Sequence, residues 1–100
     1  MKVSELLSTR KAWTTKAYAR TTLNVKVDPQ DPLAVAWCIA GALNKCYSSF
    51  IPDQTAAYDR LTATLQKWFL QGKSQTASVS IFNDGSTYEQ VLELVTEADV

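Results

Sequence analysis

The chain contains no histidine. That one absence removes the Ser-His-Asp and Cys-His-Asn catalytic arrangements, the HExxH zinc site and any imidazole-based pH switch. Cysteine is scarce as well. Cys38 and Cys46 are the only two, and a structural zinc site wants four ligands. Glycine occurs only at positions 41, 72 and 85, so neither a GxGxxG fingerprint nor a phosphate-cradling loop exists. Asp84, Glu89 and Glu93 do not follow the spacing of a calcium loop. No catalytic residue, metal ligand or cofactor is therefore expected. No apolar run approaches the roughly 18 residues of a membrane span, and Met1-Lys2-Val3-Ser4-Glu5-Leu6-Leu7 lacks the apolar core of a signal peptide. A cytoplasmic setting with both thiols reduced is the expectation.

What is present is an ordinary globular composition. One hundred residues, 46% hydrophobic and 20% charged, suit a single domain over residues 1–100 with one core. Ten cationic side chains balance ten anionic ones, which argues against a generic nucleic-acid binder. The zero hides a polarity. Residues 1–26 hold six cations against Glu5 alone, and residues 84–100 hold five carboxylates and no cation. Either the two ends lie together and neutralise, or the surface is bipolar and steers a charged partner.

The periodicity predicts a mainly α fold with minor β structure. A short helix is expected over Ser4–Ala12, capped by Ser4. Residues 19–27 alternate apolar and polar and read as a strand pair or a small hairpin at 18–27, turning near Asn24. Asp31-Pro32 is a helix-start signal, and Leu33 to Leu43 is apolar except for Gly41. A buried central helix over 32–46, with about four helices around it, follows. Asp53 is the expected cap of the next helix, whose face carries Ala57, Tyr58, Leu61, Leu65, Trp68 and Phe69, with Gly72 ending it. Residues 77–82 fit a strand or a helical turn. Asn83-Asp84-Gly85 reads as a turn. A capping box, Ser86 with Glu89 or Thr87 with Gln90, opens a last helix whose inner stripe is Tyr88, Val91, Leu92, Val95 and Ala98. Gly41, mid-helix and flanked by alanines, implies that another backbone packs against it, with the last helix or the Phe82-Asn83-Asp84 turn as the expected neighbour.

The succession Trp13-Thr14, Ala17-Tyr18-Ala19-Arg20, Asp28-Pro29, Asp31-Pro32, Trp37-Cys38-Ile39-Ala40-Gly41-Ala42-Leu43, then Phe82-Asn83-Asp84, Thr87 and Val91-Leu92 resembles an uncharacterised family of small bacterial and phage proteins, a domain of unknown function. The resemblance spans nearly the whole chain. It implies the architecture and a bacterial cell, or a phage-infected one, as the setting; it carries no known activity. Family members usually place a glycine near position 24, where this chain has Asn24.

Three functions stay open. The first is a non-catalytic interaction protein, in the form of a phage accessory protein that binds and blocks a host defence complex. The charge polarity and ten aromatic residues support it, since Trp and Tyr anchor interfaces. The second is a small-ligand binding protein with its pocket between Asn83-Asp84 and the hairpin. The third is a thiol enzyme using Cys38, against which stand its apolar surroundings and the absence of any imidazole. The candidate binding residues are Trp13, Lys16, Tyr18, Arg20, Asn83, Asp84, Glu89 and Glu93. The basic first quarter interleaves Lys11, Lys16, Arg20 and Lys26 with Trp13 and Tyr18, a pattern that also suits stacking and phosphate contact with nucleic acid. Complementarity between that quarter and the acidic last helix makes a homo-oligomer conceivable.

Overall fold

The computed structural model describes residues 1–100. It is mainly α with a small sheet. Helix α1 spans Val3–Leu6, and a single 3₁₀ turn, Arg10–Ala12, follows it. Three two-residue strands come next: β1 (Ala19–Arg20), β2 (Lys26–Val27) and β3 (Ala36–Trp37). Four helices complete the chain: α2 (Ile39–Tyr47), α3 (Ile51–Leu70), α4 (Val79–Gly85) and α5 (Tyr88–Glu97). No helix is long and apolar enough to cross a membrane.

The strands form one antiparallel sheet in the order β2-β1-β3. Ala19 pairs with Val27 and Trp37, and Arg20 pairs with Lys26 and Ala36. The hairpin between β1 and β2 turns at Asn24, which sits at φ 65°. Asparagine tolerates the left-handed region better than any residue but glycine, so the turn closes without a glycine. Thr21 stitches it: its N–H donates to Val25 O (2.9 Å), and its hydroxyl accepts from the N–H of Leu23 and of Val25.

The expected helix over 32–46 needs correction. Residues 32–38 are not helical; the helix begins only at Ile39 and runs to Tyr47. The Asp31-Pro32 signal is used, but for a turn. Asp31 Oδ1 accepts from Leu33 N–H (2.8 Å) and Asp31 O accepts from Ala34 N–H (3.0 Å), an Asx-turn followed by a strand. Ala36 and Trp37 are buried on both faces of β3, and a strand covered on both sides reads as a continuous apolar run. That run is what imitates a buried helix. Leu33 and Val35, expected inside, are exposed.

The core lies where α2 meets α1, α3 and α4, and where α5 closes over α1 and α3. Val3, Leu7, Ile39, Leu61, Leu65, Trp68, Val91, Leu94, Val95 and Val100 are fully or almost fully covered. Differences of detail are instructive. α1 starts at Val3 rather than at a Ser4 cap, and α3 starts at Ile51 with Phe50 rather than Asp53 outside it. On α3, Tyr58 and Phe69 flank the buried stripe and are exposed. On α5, Leu94 is fully buried and Leu92 is half-buried. Thr87 and Gln90 form the capping box of α5. Residues 79–85 are a helix, so Phe82, Asn83 and Asp84 lie within α4 and not in a turn.

The two ends of the chain do lie together. Val3 N–H donates to Val100 O (2.5 Å), Lys2 pairs with Asp99, and Arg10 pairs with Glu89. Lys73–Glu93 (2.7 Å) and Lys67–Glu97 (3.2 Å) occupy the rest of the acidic ridge of α5. The polarity seen along the sequence is largely cancelled in space.

Candidate functional site

Asn83 is the best-connected side chain in the molecule, and it is 98% buried. α4 places it: Ser78 caps that helix by accepting from Ile81 N–H, so the next turn aims Asn83 inward. Its Oδ1 accepts from Trp13 Nε1–H (2.9 Å) and from Ile39 N–H (3.1 Å), the first free donor of α2. Its Nδ2 donates to Thr14 O (3.2 Å) and to Asp84 Oδ1 (3.1 Å). One amide therefore locks α4 to the start of α2 and to the segment before β1. Asp84 extends the lock, its Oδ1 accepting from Lys16 N–H (3.0 Å). Lys16 stands at φ 62°, a conformation that costs about 1 kcal/mol or more outside glycine and that this carboxylate bond holds in place.

Tyr18 is the next fixed point. Its carbonyl accepts from Cys38 N–H (3.2 Å) and lies directly on Gly41. A Cβ added at Gly41 would stand 1.9 Å from Tyr18 O. The expectation of a close backbone neighbour holds, but the neighbour is the approach to β1 and not α4 or α5. The Tyr18 ring is left in solvent.

These constraints leave a cleft of about 640 Å³ between α4, the first turn of α2 and the open end of the hairpin. Lys16, Ala17 and Tyr18 form one wall, Lys26, Val27 and Asp28 a second, and Val79, Ser80, Asn83 and Asp84 a third, with Cys38 and Ala40 completing the lining. Beyond Tyr18 lies a second hollow of about 510 Å³, lined by Pro29, Leu43, Asn44, Ile51, Gln54, Thr55 and Tyr58. Tyr18, Asp28 and Ala40 border both.

Cys38 lies outside α2, as its N-cap, and not two turns inside a helix as the 32–46 reading required. Its Sγ accepts from Gly41 N–H (3.3 Å). Burial pushes its thiol up from the ordinary 9.0, and the Asp84 carboxylate adds to that; the N–H groups of Gly41 and Ala40 oppose it. The net is upward, so the thiol stays protonated at neutral pH, the wrong state for a nucleophile. Cys38 contributes a neutral, polarisable patch to the cleft.

The other candidates separate. Lys16, Tyr18, Asn83 and Asp84 meet in the cleft. Trp13 supports it from behind through Asn83. Arg20 is a brace: its guanidinium donates to Thr14 Oγ1 (3.1 Å), Thr15 O (3.3 Å) and Asn24 O (3.1 Å). Glu89 and Glu93 face outward on α5, paired with Arg10 and Lys73. The carboxyl of Glu89 is held below its ordinary 4.5 chiefly by backbone N–H at the start of α5, and then by Arg10. Sequence reading did not include Ala17, Val27, Asp28, Ala40, Val79 or Ser80, and it singled out Lys26 only for nucleic-acid contact and Cys38 only as a nucleophile. Lys26 and Asp28 were legible in principle, since residues two apart on a strand share a face. No three acidic or thiol side chains gather closely enough to hold a metal ion.

No curated protein and no solved structure matches the chain. Its sequence does match, over residues 1–99, the family described as Family of unknown function (DUF6197), and the chain belongs to that family.

Proposed function

We propose that the protein binds a small molecule in the cleft between α4 and the open end of the hairpin. The observation that carries this reading is the cleft itself, about 640 Å³ and held by the Asn83 lock. Ligand sites are typically roughly 300–1,000 Å³, largely pre-formed, mostly apolar, with a few convergent polar groups. Ala17, Val27, Cys38, Ala40 and Val79 supply the apolar lining; Lys16, Lys26, Asp28, Ser80 and Asp84 supply the polar groups. A thermal-shift screen of small metabolites tests it, because a ligand held at about 100 times its Kd stabilises the fold by about 2.7 kcal/mol. Ser80 is exposed at the rim, so Ser80→Trp should fill the cleft without entering the core. The expected result is a compound that raises the melting temperature of the wild type and not of Ser80→Trp. A compound that stabilises both equally, or none that stabilises the wild type, overturns the reading.

A second reading, a protein-interaction module, draws on a different surface. Leu23, Val25, Leu33 and Val35 are all exposed. Thr21 bonds to Val25, and Val35 N–H donates to Arg20 O (2.9 Å), so Val25 and Val35 flank the hairpin at its closed end. Val25 and Val35, brought to one end of the sheet with exposed Leu23 in the turn beside Val25 and exposed Leu33 two residues before Val35, suit a partner protein or a second copy of the chain. A phage-borne or bacterial inhibitor of a defence complex, acting in the cytoplasm, is the finer form of this reading. Light scattering of the wild type and of Leu23→Lys/Val35→Lys tests self-association. A monomer in both leaves only a foreign partner for this surface.

A further inference from the structure

We infer that the ligand site does not end at Tyr18, and that its occupant is a short extended peptide lying across both hollows. The inference rests on the cleft reading above and adds a second subsite and a ligand class. The two hollows share Tyr18, Asp28 and Ala40 as common walls, so a chain passing over Tyr18 leaves one and enters the other. Tyr18 is 66% exposed, although its backbone is pinned by Cys38 N–H and by the contact with Gly41. An exposed ring on a fixed backbone is a platform set between two cavities.

The chemistry of the walls selects the occupant. The first hollow presents both signs of charge, Lys16 and Lys26 with Asp28 and Asp84, and none of the four is in an ion pair within the protein. Asp28 also borders the second hollow. The Asp28 carboxylate on the shared wall and the Asp84 carboxylate in the first hollow disfavour a polyphosphate or a nucleic-acid backbone, whose binding rests on cations. They suit a ligand that carries both signs and amide groups.

The second hollow adds an independent sign. Gln54 lines it, and Gln54 Oε1 is the one buried side-chain polar atom in the molecule without a hydrogen-bond partner. An unmet buried acceptor is costly. The last side-chain torsion of glutamine is broad, so the terminal amide turns readily to meet a donor entering the hollow. A peptide N–H is such a donor. Leu43, Ile51 and Tyr58 provide apolar surface beside it, and the exposure of Ile51 and Tyr58 leaves that surface open to a side chain.

The test is a selection of displayed random heptapeptides on the immobilised protein, followed by titration of the synthesised winner into ¹⁵N-labelled protein. Shifts of backbone amides around 16–18, 26–28 and 80–84 together with those around 43–44 and 51–58 are expected. Gln54→Met keeps the side-chain length and removes the acceptor; it should weaken the peptide by roughly threefold to tenfold, the worth of one hydrogen bond. A peptide that shifts only the first group and ignores Gln54→Met overturns the second subsite and leaves the cleft reading standing. The peptide inference also falls, with the cleft reading intact, if no peptide is enriched while small molecules still stabilise the wild type and not Ser80→Trp. An oligodeoxythymidine that shifts both groups of amides overturns the ligand class. If neither peptides, small molecules nor the oligonucleotide perturb either hollow, both readings fall together.

Discussion

At the scale of single residues, two positions carry more than their size suggests. Gly41 lets the Tyr18 carbonyl sit on the first turn of α2. Alanine gains about 1 kcal/mol of helix propensity over glycine, yet its Cβ would fall 1.9 Å from a backbone oxygen, and a backbone atom cannot swing aside as a side chain does. Overpacking costs about 1–3 kcal/mol or more, which a contact this close to backbone puts above the propensity gain, so Gly41→Ala should be net destabilised, read as a lower urea midpoint, and Gly41→Leu should not fold. A Gly41→Ala variant more stable than the wild type would refute the contact. Asn83 is the second position. Replacing it with leucine keeps the branching at Cγ, adds bulk to a buried site and strands Trp13 Nε1–H, Ile39 N–H and Thr14 O. Unmet buried groups cost about 1–3 kcal/mol each, so Asn83→Leu should destabilise by at least about 3 kcal/mol in the same assay. Ligand binding at the cleft should weaken in any fraction that still folds, because Thr14 and Ile39 lose a common anchor and the Asp84 carboxylate that holds Lys16 N–H loses its bond from Asn83.

At the scale of elements, caps and turns decide where each helix begins. Thr87 Oγ1 accepts from Gln90 N–H (3.2 Å), and Gln90 Oε1 accepts from Thr87 N–H (2.9 Å). Thr87→Ala breaks this reciprocal pair and should cost about 1 kcal/mol, with amide exchange quickening in the first turn of α5 before the rest of the helix. This capping box, Gly72 at φ 73° after α3 and the Asn24 turn were all legible, because each is written in local chemistry. The start of α2 was not. Cysteine is an unusual cap, and nothing in the Leu33–Leu43 run distinguishes a strand buried on both faces from a helix buried all round. The tertiary neighbours that bury Ala36 and Trp37 make that distinction. The cleft was legible in part for the same reason. Lys16, Tyr18, Asn83 and Asp84 were found by side-chain type, and the expected pocket between Asn83-Asp84 and the hairpin is where a cleft lies. Its floor of Cys38, Ala40 and Val79 has no signal of its own until α2 and α4 are folded against each other.

At the scale of the whole molecule, the chain is closed by joining its two ends, and apolar burial supports that closure more than charge does. Val3, Leu7, Val95 and Val100 are fully buried there, whereas Lys2–Asp99 and Arg10–Glu89 are exposed pairs, of a kind that contributes little and is screened by salt. Val3→Ala should accordingly lower stability by about 1–3 kcal/mol, while 1 M NaCl should move the urea midpoint only slightly.

The pH dependence separates the charged rim from the interior. Glu89, Glu97 and Asp99 have folded values held below their ordinary 4.5, 4.5 and 3.8, by the N-terminal backbone of α5, by Trp68 Nε1–H with Lys67, and by Lys2 respectively. A carboxyl depressed in the fold stabilises it above the unfolded value, and that contribution goes as the pH falls through the folded one. The acid limb should therefore begin just below pH 4.5. The alkaline limb has another origin. Burial raises the thiols of Cys38 and Cys46 above 9.0. A thiol kept neutral by the fold stabilises it below its unfolded value, and this is lost as the pH climbs from there through the folded value, while the unfolded chain ionises first. Lys2, raised above 10.5 by Asp99, enters only later and from the exposed rim. Stability should thus begin to fall near pH 9 and not near 10.5. In Cys38→Ser/Cys46→Ala, where serine keeps a capping oxygen at the start of α2, the decline between pH 8 and 10 should flatten even if the variant is less stable throughout. Urea midpoints measured at pH 7, 8, 9 and 10 under reducing conditions decide it. An alkaline limb unchanged by the double substitution would place its cause outside the two thiols.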